Sequence, residues 1–294
     1  MLDRRGPDRV SPTLVPMMIS NMAAALISIK FGALGSTLAP VTACSIGNTA
    51  IGEAFYQIQS GRSDIIFAGG SDAAITEISL ASFSNATALS TRNEEPEHAS
   101  RPFDGGRDGF VMAEGAGILV LESLSHALKR KATIHAEVIG YGATSDAYHM
   151  VATHPEGNGA YRAMKLALQE AGIQAAQVDV ISAHATSTGV GDKSETAAIK
   201  QLFGQEAYRI PVTANKSMTG HMFGAAGGVE AIALVKSLQD GVIPPTINQE
   251  ETDQACDLDY VPNVARQAEL EIGMSNSFGF GGHNAVIVLK KYKP

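Results

Sequence analysis

The chain has 294 residues, 45% hydrophobic and 18% charged, with a net charge of −8. That much apolar material builds a buried core and excludes disorder as the main state, and the acidic balance argues against a nucleic-acid binder, which needs a basic stripe. Two cysteines, Cys44 and Cys256, cannot form a disulfide scaffold, and a length of this order means one large domain or two medium ones. No apolar run reaches about 18 residues, so no membrane span is expected, and residues 1–9 are basic without the apolar core of a signal peptide. The expectation is a soluble protein of the reducing cytoplasm.

The first informative segment is Thr42-Ala43-Cys44-Ser45. Residues 39–43 are small or β-branched and read as a strand, and Ile51, Ala54 and Phe55 follow at helical spacing. Cys44 is therefore expected at a strand-to-helix elbow, where unpaired N–H groups and the positive end of the helix dipole favour a thiolate. Such a cysteine reads either as a nucleophile or as a small buried hydrophobe. Residues 64–68, 117–121, 178–181 and 285–289 read as buried strands. Residues 159–171, 192–203 and 225–238 read as helices, the first with an apolar face of Tyr161, Met164, Leu166, Ala167 and Leu168. Alternating strands and helices predict an α/β protein with a largely parallel sheet. Two glycine-rich turns, Gly115-Ala116-Gly117 and Gly279-Phe280-Gly281-Gly282, each feed an apolar strand, a faint echo that reads either as a duplicated half or as chance.

Three further segments carry side chains suited to chemistry. His184, in Ser182-Ala183-His184-Ala185-Thr186-Ser187-Thr188, follows a strand, which places its imidazole at the carboxyl edge where open α/β sheets bind ligands. Thr186 and Thr188 add hydroxyls able to bond an amide-containing arm, although a loop histidine satisfied by backbone groups fits the same pattern. His221 lies between a strand and a helix rich in small residues, with Lys216 before it and Glu230 after it. That pair reads either as a charge-setting base of a site or as a surface ion pair of little worth. Phe278 and Phe280 stand among flexible glycines in Asn276-Ser277-Phe278-Gly279-Phe280-Gly281-Gly282, a segment that serves as a gate, as a source of oxyanion-binding N–H groups, or as a crowded turn. Cys256 sits in an acidic loop and reads as structural. The histidines and cysteines lack zinc-ligand spacing, and no phosphate-loop or dinucleotide fingerprint is present.

Taken in order, these motifs resemble the β-ketoacyl-acyl carrier protein synthases, most closely the bacterial type II elongation branch. Leu89-Ser90-Thr91-Arg92-Asn93, Arg101-Pro102-Phe103-Asp104, Arg107-Asp108-Gly109-Phe110 and Ser145-Asp146-Ala147-Tyr148-His149-Met150 extend the match from about residue 6 to the last strand. The resemblance implies that Cys44 is the acyl-accepting nucleophile, His184 and His221 the catalytic histidines, and Lys216 their supporting lysine. Phe280 would be the gating phenylalanine, its N–H joining that of Cys44 in an oxyanion hole. Thr186 and Thr188 would meet the pantetheine arm, with Glu230 and Phe278 in support.

The implied fold is the thiolase-like five-layered α-β-α-β-α duplication. Residues 1–133 would form an incomplete N-terminal half carrying the nucleophile, and residues 134–294 a whole C-terminal half carrying both histidines. The implied reaction condenses an acyl group with a malonyl unit on acyl carrier protein, in a homodimer, without metal or bound cofactor, the phosphopantetheine arriving with the substrate. Ala185 stands where the family typically has glycine and Gly189 where proline is common. Both changes are expected to be tolerated if Ala185 avoids positive φ. A thiolase would bring a second reactive cysteine near the C-terminus, and a chalcone-synthase-like enzyme would pair one histidine with asparagine. A polyketide-type ketosynthase, an inactive partner subunit and a fragment of such an enzyme remain as alternatives.

Overall fold

The computed structural model describes residues 4 and 6–293. Contacts divide the chain into Met1–Val41 and Thr42–Pro294. The first unit holds helices α1 (Leu14–Met18) and α2 (Met22–Phe31), the latter ended by Gly32 in the left-handed conformation. Neither helix buries a residue, although α2 reads Met-Ala-Ala-Ala-Leu-Ile-Ser-Ile-Lys-Phe and has no polar face.

The second unit begins with helix α3 (Ile46–Gln59), followed by strand β1 (Ile65–Asp72), helix α4 (Glu77–Asn85), strand β2 (Gly115–Glu122) and helix α5 (Leu124–Lys129). Next come β3 (Ala136–Ser145), α6 (Asn158–Ala171), β4 (Val180–Ser182), α7 (Gly189–Phe203), β5 (Val212–Thr213) and α8 (Lys216–Thr219). Helix α9 (Ala226–Asp240), short strands β6 (Val242–Ile243) and β7 (Arg266–Gln267), and long strands β8 (Ile272–Gly279) and β9 (His283–Lys291) complete it. The helices expected at 159–171, 192–203 and 225–238 are α6, α7 and α9, and the four expected strands are β1, β2, β4 and β9.

The sheet is mixed rather than largely parallel. Its order is β3-β9-β8-β4-β5; β4 runs parallel to β5 and β8, whereas β9 is antiparallel to both β8 and β3. The cause is the Gly281-Gly282 turn, with φ of 85° and 74°, because a connection this short joins only antiparallel strands. Strand β8 escaped the sequence reading because Ser275, Asn276 and Ser277 break its apolar run, yet all three are fully buried. Strand β3 escaped it because Gly140 and Gly142 interrupt the pattern. A Cβ at those positions would lie 2.3 Å from the Ala167 carbonyl oxygen and 2.1 Å from that of Ala163, so the glycines let α6 lie directly on the strand.

Side chains on β9 alternate between two cores. Val286 and Val288 join Met164, Ala167 and Ile199 under α6 and α7, while Ala285, Ile287 and Leu289 join Ile51, Ala231 and Leu234 under α3 and α9. Helices α3 and α9 also cover one face of the antiparallel β1–β2 pair. The unit thus stacks β1–β2, α3 with α9, the five-stranded sheet, and α6 with α7, four successive layers of the thiolase-like arrangement. Where α3 crosses α9 there is no room for side chains: a Cβ on Gly47 would come within 2.4 Å of the Gly228 nitrogen.

Candidate active site

Cys44 lies in a single 3-10 turn, Ala43–Ser45, that runs straight into α3. The strand expected over residues 39–43 is absent: residues 36–42 form no strand or bridge, and Ala43 takes a positive φ of 49° that no strand accommodates. The turn is fixed by Ser45, whose N–H and hydroxyl both donate to the Thr42 carbonyl at 3.1 and 2.7 Å. Gly279, at the end of β8, presses against it. A Cβ there would stand 2.6 Å from the Thr42 oxygen and 3.0 Å from the Cys44 nitrogen.

The Cys44 thiol is not a ready thiolate. Burial pushes its pKa up to about 11, and the nearby Asp72 carboxylate adds to the rise. The Lys216 ammonium and the backbone N–H groups of Phe280 and Cys44 pull it down, but by less. The helix-start argument from sequence is thus outweighed by desolvation, because a charge buried in a low-dielectric site loses its hydration. The two backbone N–H groups at the sulfur are the pair expected to form the oxyanion hole.

His184 follows β4 at its carboxyl edge. Its N–H and that of Ala185 both donate to the Glu195 carboxylate of α7, at 2.9 and 2.8 Å, and Asn276 on β8 donates to the same carboxylate at 3.0 Å. Ala185 has a φ of 26°, so the conformation that a glycine would take freely is imposed on an alanine, with the two bonds from Glu195 holding it. His221 follows Gly220, whose φ is 69°, and is tied by its N–H to the Val111 carbonyl at 2.7 Å.

The two imidazoles meet edge to face, centroids 5.5 Å apart and planes at 89°. Phe278 lies 5.6 Å from the His184 ring, and Phe110 and Phe223 lie 5.4 and 5.0 Å from the His221 ring. Each histidine has a buried Nδ1 with no hydrogen-bond partner. Burial, reinforced by the Lys216 charge, holds both pKa values well below 6.5, so both rings are neutral at physiological pH. Lys216 Nζ meets Glu230 Oε1 at 2.5 Å, with side-chain exposures of 1% and 3%. This is a buried pair and not a solvated surface one. Burial pushes the Glu230 carboxyl up, against the pull of the lysine.

Phe280 stands at the mouth, 39% exposed, its ring 6.4 Å from Phe83. Phe83 in turn stacks on Phe223 at 5.2 Å. The Thr186 and Thr188 hydroxyls lie 3.2 Å apart. Cys256 is buried with its thiol against the Thr196 hydroxyl, and burial raises its pKa. Among the described residues no group of three or more His, Cys, Asp or Glu could hold a metal ion, and no helix is long and apolar enough to cross a membrane.

Sequence reasoning missed Glu195, Asn276 and Phe83. Glu195 looks like one more acidic residue on an amphipathic helix, and only its complete burial marks it out. Asn276 could have been found, since it opens the same motif as Phe278 and Phe280.

Comparison with known proteins agrees with this geometry. Residues 1–127 match the β-ketoacyl synthase N-terminal domain and residues 135–250 the C-terminal domain. The 3-oxoacyl-[acyl-carrier-protein] synthase 2 of Synechocystis sp. is 52% identical over 293 residues, covering 100% of this chain and 70% of the relative. That of Staphylococcus aureus (strain COL) is 52% identical over 289 residues, covering 98% and 70%. Among solved structures, a type II polyketide ketosynthase in complex with its acyl carrier protein superposes with a TM-score of 0.95 at 39% identity, covering 98% of this chain and 71% of that one. A β-ketoacyl synthase from Burkholderia phymatum gives 0.94 at 36%, covering 99% and 71%. Sequence, fold and a pair of neutral imidazoles set edge to face therefore converge, and the chain belongs to the β-ketoacyl synthase family.

Proposed function

We propose that this chain elongates fatty acyl chains by a decarboxylating Claisen condensation, taking acyl and malonyl groups from acyl carrier protein. The observation that carries the reading is the pair of neutral, perpendicular imidazoles that share the field of one buried lysine with the Cys44 thiol.

In the first half-reaction Cys44 sulfur attacks the acyl thioester carbonyl. The oxyanion that develops is met by the Cys44 and Phe280 N–H groups, the carrier's thiol leaves with the proton, and the acyl group stays on Cys44. Because the resting thiol is protonated, the Lys216 charge matters most as negative charge builds on sulfur. In the second half-reaction the malonyl thioester enters along Thr186 and Thr188 and loses its carboxylate as carbon dioxide. Neutral His184 and His221 are suited to donate hydrogen bonds to the thioester oxygen as it becomes an enolate. A protonated pair would instead place two positive charges side by side against Lys216. The carbanion attacks acyl-Cys44, the carbon–sulfur bond breaks, and a 3-oxoacyl product two carbons longer departs while Cys44 regains a proton. Decarboxylation supplies the carbanion, so this scheme routes no step through a metal.

Within this reading residues 1–133 and 134–294 act as the two thiolase-like halves, nucleophile in one and histidines in the other. The exposed apolar side chains of α2 support a homodimer, and the two free cysteines suit the cytoplasm. Incubation with an acyl thioester and a malonyl thioester of acyl carrier protein tests the reading. A 3-oxoacyl product with equimolar carbon dioxide is expected, and hydrolysis without chain extension would refute it.

A further inference from the structure

We propose that Arg107 is a positioning residue that holds the Ala185–Gly189 loop in the shape needed to receive the pantetheine arm. The loop carries His184 on one side and Thr186 and Thr188 on the other, and it is strained: Ala185 and Ser187 both have positive φ, 26° and 70°. Such a conformation persists only where its surroundings over-determine it.

Arg107 supplies much of that constraint from a different segment of the chain. Its Nε donates to the Thr188 carbonyl at 3.1 Å and its Nη2 to the Gly189 carbonyl at 3.2 Å. On the other edge Nη1 donates to the Asp104 carbonyl at 2.6 Å and pairs with Asp253 at 3.0 Å. Asp192, fully buried on α7, stands 3.5 Å from Nε and accepts the Phe103 N–H at 2.8 Å. Two neighbours complete the clamp: the Arg101 N–H donates to the Ser187 hydroxyl at 3.0 Å, and the Gly109 N–H to the Ser187 carbonyl at 3.1 Å.

The guanidinium side chain is 2% exposed. Its planar fork reaches two consecutive loop carbonyls and an opposite carbonyl together, which the single nitrogen of a lysine cannot do. None of these contacts involves Cys44. Arg107 should therefore govern binding of the arm and leave the intrinsic reactivity of the nucleophile alone. The inference rests on the placement of the arm at Thr186 and Thr188 proposed above.

The test compares wild type with Arg107→Lys in decarboxylation of malonyl-acyl carrier protein, with iodoacetamide alkylation of Cys44 as an arm-independent readout. We expect KM to rise about tenfold and kcat to fall less than about threefold, with the alkylation rate within about twofold of wild type. Asp253→Asn, which weakens the ion pair on the other edge of the guanidinium, should raise KM about two- to threefold. An unchanged KM in a folded Arg107→Lys protein overturns the proposal, as does a rise in KM matched by equal falls in kcat and in the alkylation rate. If Arg107→Lys does not fold, an unchanged KM in Asp253→Asn overturns it. Normal binding of malonyl-acyl carrier protein by a Thr186→Ala, Thr188→Ala protein that is otherwise wild type would instead refute the placement of the arm.

Discussion

Two sheets of the larger unit, the five-stranded one and the β1–β2 pair, are built on the same pair of central helices and differ in what covers their other face. The five-stranded sheet is closed by α3 and α9 on one side and α6 and α7 on the other, and β8 and β9 are buried for nearly their whole length. The β1–β2 pair is covered on one side only: Leu119 and Leu121 turn inward while Ile118 and Val120 are exposed at 40% and 54%. Only the closed sheet keeps Ser275, Asn276 and Ser277 at zero exposure, and only there do an unprotonated histidine pair and a buried lysine–glutamate pair survive. Full coverage lowers the local dielectric, which raises the cost of every charge and makes each aligned dipole more effective. The candidate site sits where that coverage is complete.

The largest break in this comparison should come from the buried ion pair. Lys216→Met leaves the buried Glu230 without its partner in the closed region, and breaking such a pair costs about 3–5 kcal/mol. Urea denaturation of the variant should show a loss of that size, partly recovered by Glu230→Gln in the same chain. A loss under about 1 kcal/mol would mean that the pair is solvated.

On the proposed mechanism His221→Ala removes one hydrogen-bond donor to the enolate and should lower malonyl decarboxylation by about two to three orders of magnitude, equivalent to about 2.7–4 kcal/mol. Carbon dioxide release measures this directly, and a wild-type rate would remove His221 from the reaction.

Acid distinguishes the regions next. His184 and His221 are neutral in the fold, whereas the unfolded chain protonates its histidines near 6.5. The depressed pKa values contribute stability that is present above about 6.5 and lost as pH falls below it, by up to about 1.4 kcal/mol per unit for each ring. Replacing both by glutamine should flatten the fall in melting temperature between about pH 6.5 and 5, whereas an unaltered slope would place the proton uptake elsewhere.

The smallest effect should lie on the open sheet. Val120→Thr changes an exposed side chain and should alter stability by no more than about 0.5 kcal/mol, as read by thermal melting. A large loss would show that this face is covered in solution.

The same contrast explains what was legible in the sequence. Helix α6 announced itself by Met164, Ala167 and Leu168 at helical spacing, and β1, β2 and β9 by short apolar runs. Cys44, His184, Lys216, His221 and Phe280 were singled out by their motifs and the resemblance, and the structure sets the two histidines against each other and buries Lys216. Strand β8 was not legible, because in a sheet closed on both faces a polar residue such as Asn276 is held by a partner distant in sequence, its Nδ2 donating to Glu195 at 3.0 Å, which alternation cannot reveal. Glu195 was hidden for the same reason, since its partners are backbone N–H groups. The protonation of Cys44 was misread because helix-end electrostatics are local in sequence, whereas desolvation depends on everything packed around the turn.

The most direct test of the account is where the acyl group lands. Peptide mapping by mass spectrometry, after incubation with an acyl thioester of acyl carrier protein, should place one acyl adduct on Cys44 and leave Cys256 unmodified. An adduct on Cys256, or acyl transfer that survives Cys44→Ala, would contradict it.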